Sequence, residues 1–148
     1  MEKLTKDFYL AEFIDPETYK QYGQKSIWFI DPRVITIAQK LRDRLGRVLI
    51  INTWYVPGGS FSYSGFRPPG CQVGASKSQH KFGRAIDVKT LDGDAQGATM
   101  IRDEIMLQYT SIYKALGLTT IEDEEFAPTW CHLDVRYTKQ NNIFIVRP

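Results

Sequence analysis

The chain has 148 residues, 43% of them hydrophobic and 24% charged, with two histidines, two cysteines and a net charge of +2. That length and balance fit one globular domain with a real core. The 19 basic residues are dispersed, with no run to track a phosphate backbone, so no nucleic-acid partner is expected; nor does any segment approach the ~20 apolar residues of a membrane span.

In chain order, Met1 to Asp7 lacks the apolar core of a signal peptide, which predicts synthesis in the cytoplasm and export only with outside help. Asp15-Pro16 offers a helix start, with Asp as N-cap and Pro at the first helical position. Asp31-Pro32 repeats it, followed by Val34, Ile37, Ala38, Leu41 and Leu45 at helical spacing and a stop at Gly46, which predicts a helix over 32–45. Val48 to Tyr55 is apolar and β-branched and reads as a buried strand, broken by Pro57-Gly58-Gly59. A long loop rich in Gly, Ser and aromatics then runs to Ser78. Such loops in compact domains are functional or disordered, and Phe61, Tyr63 and Phe66 favour an ordered one.

Arg84 to Lys89 reads as a second strand and Asp92-Gly93 as a turn. Met100, Ile101, Ile105, Tyr109, Ile112, Tyr113 and Leu116 mark a long amphipathic helix closed by Gly117. Thr119 to Ile121 reads as a short strand, Glu122 to Glu125 as a solvated acidic loop, Trp130 to Arg136 as a third clear strand and Ile143 to Val146 as an edge strand. Strands joined by long loops, with separate helices, predict an α+β domain with a small, mostly antiparallel sheet.

An acid inside Ala85-Ile86-Asp87-Val88 is costly to bury without a partner. By strand alternation Ala85, Asp87 and Lys89 share one face, as do Trp130, His132, Asp134 and Arg136 on the later strand. If the two strands are neighbours, Asp87 and His132 converge, and His80 reaches them through the bend at Gly83. Two imidazoles and a carboxylate suit one Zn²⁺ with a fourth position left for water. Asp134 could orient a ligand. Cys131 has the wrong parity to join them, and Cys71 and Cys131 form no metal spacing, so both read as reduced thiols. From spacing alone, histidines in purely structural roles remain the alternative.

The pattern Ser78-x-His80-x-x-Gly83-x-Ala85-x-Asp87, followed by Trp130-x-His132-x-Asp134, resembles the M15 zinc peptidases. These are D-alanyl-D-alanine carboxypeptidases and peptidoglycan endopeptidases that share their fold with the hedgehog signalling domain. Leu4-Thr5-x-x-Phe8-x-Leu10-x-Glu12-Phe13 and Ser64-Gly65-Phe66-Arg67 extend the likeness over most of the chain. The resemblance implies His80, Asp87 and His132 as ligands of one zinc ion, Arg67 as the group that binds a substrate carboxylate, Ser78 and Gln79 as cleft-lining residues, and Asp134 as the acid behind the last ligand.

There is a departure. Many members carry a general base three residues before the last ligand, or a histidine two before it; here Thr129 and Trp130 stand there, and neither accepts a proton. Glu125 is the nearest carboxylate before the strand, and is the expected base if it is not simply a solvated charge. Trp54 to Tyr63 reads as an insertion, a wall or lid of the cleft or else a cap on the core. The expected function is a zinc peptidase acting on peptidoglycan stem peptides, with a phage holin or virion component as partner. The alternative is a non-catalytic, zinc-stabilised module of the same fold that binds cell wall or a protein.

Overall fold

The structure is a computed structural model that describes all residues, 1–148. Three helices, α1 (Pro16–Tyr22), α2 (Pro32–Leu45) and α3 (Ala95–Gln108), accompany a sheet of five strands. The strands are β1 (Leu49–Ile50), β2 (Ala85–Thr90), β3 (Thr120–Glu122), β4 (Cys131–Asp134) and β5 (Phe144–Val146), in the order β1-β2-β4-β3-β5. All pairings are antiparallel except β3 with β5. The fold class is α+β, as the sequence predicts.

The two Asp-Pro signals act as expected. Asp15 accepts a hydrogen bond from the Thr18 amide at 3.0 Å and Asp31 from the Arg33 amide at 3.0 Å, each satisfying an orphan helix donor. α2 ends at Gly46 in the left-handed region, φ 61°, where the amide bonds back to Arg42. Its Val34, Ile37, Ala38 and Leu41 are fully buried, each larger side chain contributing roughly 1.5–3 kcal/mol of burial.

Alternation divides the sheet into two chemically different faces. Ile86, Val88, Cys131, Leu133 and Ile121 enter the core with Phe8, Leu10, Phe13, Ile37, Ile101 and Ile105. The neighbouring positions, Asp87, His132 and Asp134, fall on the other face. Cys131 is free, and burial pushes its thiol up to about 12; Cys71 is free as well.

Three elements differ from expectation. The strand predicted over Val48–Tyr55 survives only as Leu49–Ile50, because the chain then leaves the sheet: the Asn52 amide bonds to the Glu12 carbonyl, and Thr53 and Trp54 to that of Phe61. The third helix starts earlier, capped by Asp94 on the Gly97 amide, and ends at Gln108. Its expected last turns become a π-turn over Tyr109–Tyr113, which brings the Tyr109 hydroxyl to the Leu118 carbonyl at 3.0 Å and that of Tyr113 to Glu104 at 3.0 Å. Finally, the acidic run does not begin in a loop: Glu122 is the last residue of β3.

Candidate metal centre

β2 and β4 are adjacent, and their register sets Asp87 opposite His132. Opposed side chains on one face lie ~4.5–5.5 Å apart at Cβ, so the pairing alone brings carboxylate and imidazole together. His80 comes from a 3₁₀ turn, Gln79–Phe82, whose N-cap is Ser78. The turn reverses into β2 through Gly83 at φ 67°, where a side chain would also run into the Phe29 carbonyl.

Three donor atoms converge. His80 Nε2 lies 3.2 Å from Asp87 Oδ1 and 3.2 Å from His132 Nδ1, and His132 Nδ1 lies 2.9 Å from Asp87 Oδ1. Ligands at ~2.0–2.1 Å around a tetrahedral ion stand about 3.3 Å apart, close to this triangle. The far atoms are already engaged. His80 Nδ1 lies 2.7 Å from the Gly65 carbonyl and His132 Nε2 lies 3.1 Å from Asp134 Oδ2. A carbonyl or carboxylate only accepts, so in the neutral rings both outer nitrogens carry the proton and the inner ones turn lone pairs to the centre. Arg67 Nη2 donates to Asp87 Oδ2 at 3.1 Å, leaving Oδ1 for the centre.

The charges of the three groups are tightly linked. Burial acts to raise the Asp87 carboxyl, but the two imidazoles outweigh it and hold it well below the usual carboxylate range. Burial pushes the His80 imidazole down. It pushes His132 down too, yet hydrogen bonds with Asp134 and Asp87 prevail and raise that imidazole to about 9. Without an ion, a proton on His132 satisfies the buried Asp87 carboxylate, and a metal ion bound among the three groups would take that proton's place. His80, Asp87 and His132, all buried, can hold one metal ion.

The centre opens into a cleft of about 480 Å³, whose lining includes Arg67, Lys77, Ser78, Gln79, Trp130 and Arg136. Ser78 and Gln79 therefore sit where the sequence reading expected them, and Gln79 Oε1 is buried there without a partner. Asp134 stands behind His132, held by Arg136 through Nε at 2.9 Å to Oδ1. Arg67 is in the cleft but doubly engaged, with Asp87 and with the Tyr63 carbonyl at 2.7 Å. A larger hollow of about 740 Å³ at the start of α3 is lined by Arg47, Asp92, Asp94 and Asp103, but no donor set converges there.

One expectation needs correction. Glu125 is exposed and lines a different hollow, with Arg102, Asp103 and Met106, so it does not reach the centre. Besides Asp87, the carboxylate that lines the cleft is Glu122, at the border between the cleft and the Glu125 hollow. Its signal was present in the sequence as alternation, Thr120 and Glu122 flanking the buried Ile121, but was hidden by the acidic run that follows. Of the two readings of the insertion Trp54–Tyr63, the contacts favour the cap on the core. Trp54 Nε1 bonds to the Ile14 carbonyl at 2.8 Å, the Asn52 side chain ties Ile14 to Ser64, and Phe66 stacks on Phe29, so the segment closes the core. The cleft wall is formed by the following loop, Val73 to Lys77.

The chain matches no family model, no curated protein and no solved structure.

Proposed function

We propose that the chain is a zinc-dependent peptidase that hydrolyses peptide bonds in peptidoglycan stem peptides. The observation that carries this reading is the triangle His80 Nε2, Asp87 Oδ1 and His132 Nδ1, with both outer imidazole nitrogens anchored, at the base of an open cleft. Two nitrogens and one oxygen in a compact triangle favour zinc over the hard, oxygen-seeking cations. Bound there, zinc supplies a Lewis acid for a carbonyl and lowers the pKa of a water towards ~7.

The chain's own residues do the rest. Asp134 and the Gly65 carbonyl fix both imidazoles in the ligating tautomer. Arg67 holds the Asp87 carboxylate. Lys77 gives the cleft wall a cationic group outside the ion pairs of Arg67 and Arg136, suited to a peptide that carries carboxylates. The choice of peptidoglycan, and of a phage holin or virion partner, rests on the motif resemblance.

The test is metal analysis of wild type and His80→Ala, followed by incubation with purified peptidoglycan and D-Ala-terminated peptides. Wild type is expected to hold one zinc and to release new amine termini, and His80→Ala to do neither. Zinc without new termini would turn the reading into a non-catalytic module of the same fold; no zinc would overturn both.

A further inference from the structure

The positions Thr129 and Trp130 offer no proton acceptor, and Glu125 faces elsewhere. The sheet supplies another carboxylate by its register. β3 pairs with β4 through Thr120 opposite Asp134 and Ile121 opposite Leu133. Continuing that register by one residue sets Glu122 opposite His132, whose other neighbour is Asp87. Asp87, His132 and Glu122 thus form one row across β2, β4 and β3, with side chains on the same face and strands ~4.7–4.9 Å apart.

Within the cleft Glu122 and Asp87 are the two carboxylate side chains. Asp87 belongs to the metal triangle. The ion pairs around the centre run among Arg67, Asp87, the histidines, Asp134 and Arg136, and leave the Glu122 carboxylate uncommitted. Its backbone is fixed from the opposite side, where Arg102 donates to the Glu122 carbonyl at 3.4 Å. On β5 its partner is Val146, an apolar neighbour that also lines the cleft.

We infer that Glu122 is the catalytic residue that moves the proton during peptide hydrolysis, an assignment that rests on the peptidase reading. Its carboxylate takes a proton from the attacking water as the oxygen bonds to the peptide carbonyl carbon. The C–N bond then breaks, and the same proton passes to the departing nitrogen. One water is consumed, one carboxylic acid and one amine form, and Glu122 returns to its ionised state.

The experiment compares wild type, Glu122→Gln, Glu122→Asp and Glu125→Gln, each loaded with zinc. The readouts are zinc content and affinity, binding of a non-hydrolysable D-Ala-terminated peptide analogue, and kcat with its pH profile. Glu122→Gln is expected to bind zinc and analogue within about threefold of wild type while kcat falls by ~10²–10⁴-fold and the acid limb of the pH profile disappears. Glu122→Asp should recover part of the rate, and Glu125→Gln should match wild type. Full turnover in Glu122→Gln, or loss of zinc from it, would overturn the assignment while leaving the peptidase reading intact. A zinc-loaded wild type that cleaves nothing would overturn both.

Discussion

His132 Nε2 rests 3.1 Å from Asp134 Oδ2, two residues along the same strand, and this contact decides which imidazole nitrogen faces His80 and Asp87. Asp134 is itself fully buried and chelated by Arg136, so it cannot swing away. Asp134→Asn keeps the shape but offers a neutral oxygen in place of a carboxylate. Zinc affinity is expected to fall by ~10–100-fold, the range seen when groups behind a ligand are altered. Competition with a chromogenic chelator measures it; an unchanged affinity would mean that the tautomer is held by other means.

Metal removal should cost stability, because the triangle is fully formed only in the folded chain. At free zinc ~100 times its dissociation constant the folded state gains ~2.7 kcal/mol. For a domain of this size that corresponds to a Tm about 5–10 °C higher with zinc than after chelation. His80→Ala should abolish the difference. A chelator-insensitive melting curve in wild type would argue that the three side chains hold a proton rather than an ion.

The convergence of Asp87 and His132 was legible in the sequence because strand alternation is a local rule and both lie on strands regular enough to obey it, while the three-residue set as metal ligands came from the motif resemblance. Pairing of β2 with β4 was the non-local step, and the buried acid made it the economical choice. Glu122 was missed for the opposite reason. β3 is three residues long, and the charge of Glu122–Glu125 outweighs so short an alternation in any window. The end of β1 was also illegible, since Asn52 leaves the sheet to bond with Glu12 and Ile14, a contact between distant segments that no local pattern encodes. The π-turn after Gln108 likewise depends on tertiary partners of two tyrosine hydroxyls.

Glu12 sits 4% exposed and accepts the Tyr9 amide at 2.9 Å. Burial raises its carboxyl from 4.5 to about 7. A carboxyl raised on folding binds more protons folded than unfolded between those values, so stability falls as pH climbs through that window. The loss is on the order of 3 kcal/mol between pH 4.5 and 7, with no further change from this group above it. Glu12→Gln keeps an acceptor for Tyr9 and cannot ionise. Urea denaturation at pH 5 and pH 8 should show the variant less pH-dependent and more stable than wild type at pH 8. Parallel pH profiles for the two proteins would disprove the assignment.

Arg102 reaches from α3 beneath the loop that joins β3 to β4. Its Nη2 donates to the carbonyls of Ala127 at 2.6 Å and Trp130 at 2.8 Å, and its Nε to that of Glu122 at 3.4 Å. One guanidinium therefore braces both ends of the segment between Glu122 and His132. Arg102→Met retains the apolar stem but leaves carbonyls without donors, a cost of about 2–4 kcal/mol. Urea midpoints read the loss, and amide hydrogen exchange should quicken across 123–130 while α2 stays protected. Uniform exchange throughout the chain would instead mean that Arg102 supports the whole fold equally.

Arg67 separates two roles that the motif alone left merged. The resemblance implies a guanidinium that binds a substrate carboxylate, whereas the structure engages it with Asp87 Oδ2 at 3.1 Å and the Tyr63 carbonyl at 2.7 Å. A guanidinium so held steers the other Asp87 oxygen towards the centre and cancels part of its charge. Arg67→Met should therefore weaken zinc binding by ~10-fold before any substrate is added. A substrate-binding role alone would leave zinc affinity unchanged and raise KM. Arg67→Lys should recover little of the loss, because an ammonium cannot span both acceptors in the fixed fork geometry. Zinc titration of the three proteins, followed by KM and kcat on a D-Ala-terminated peptide, distinguishes the two: wild-type zinc affinity in Arg67→Met would return Arg67 to the substrate.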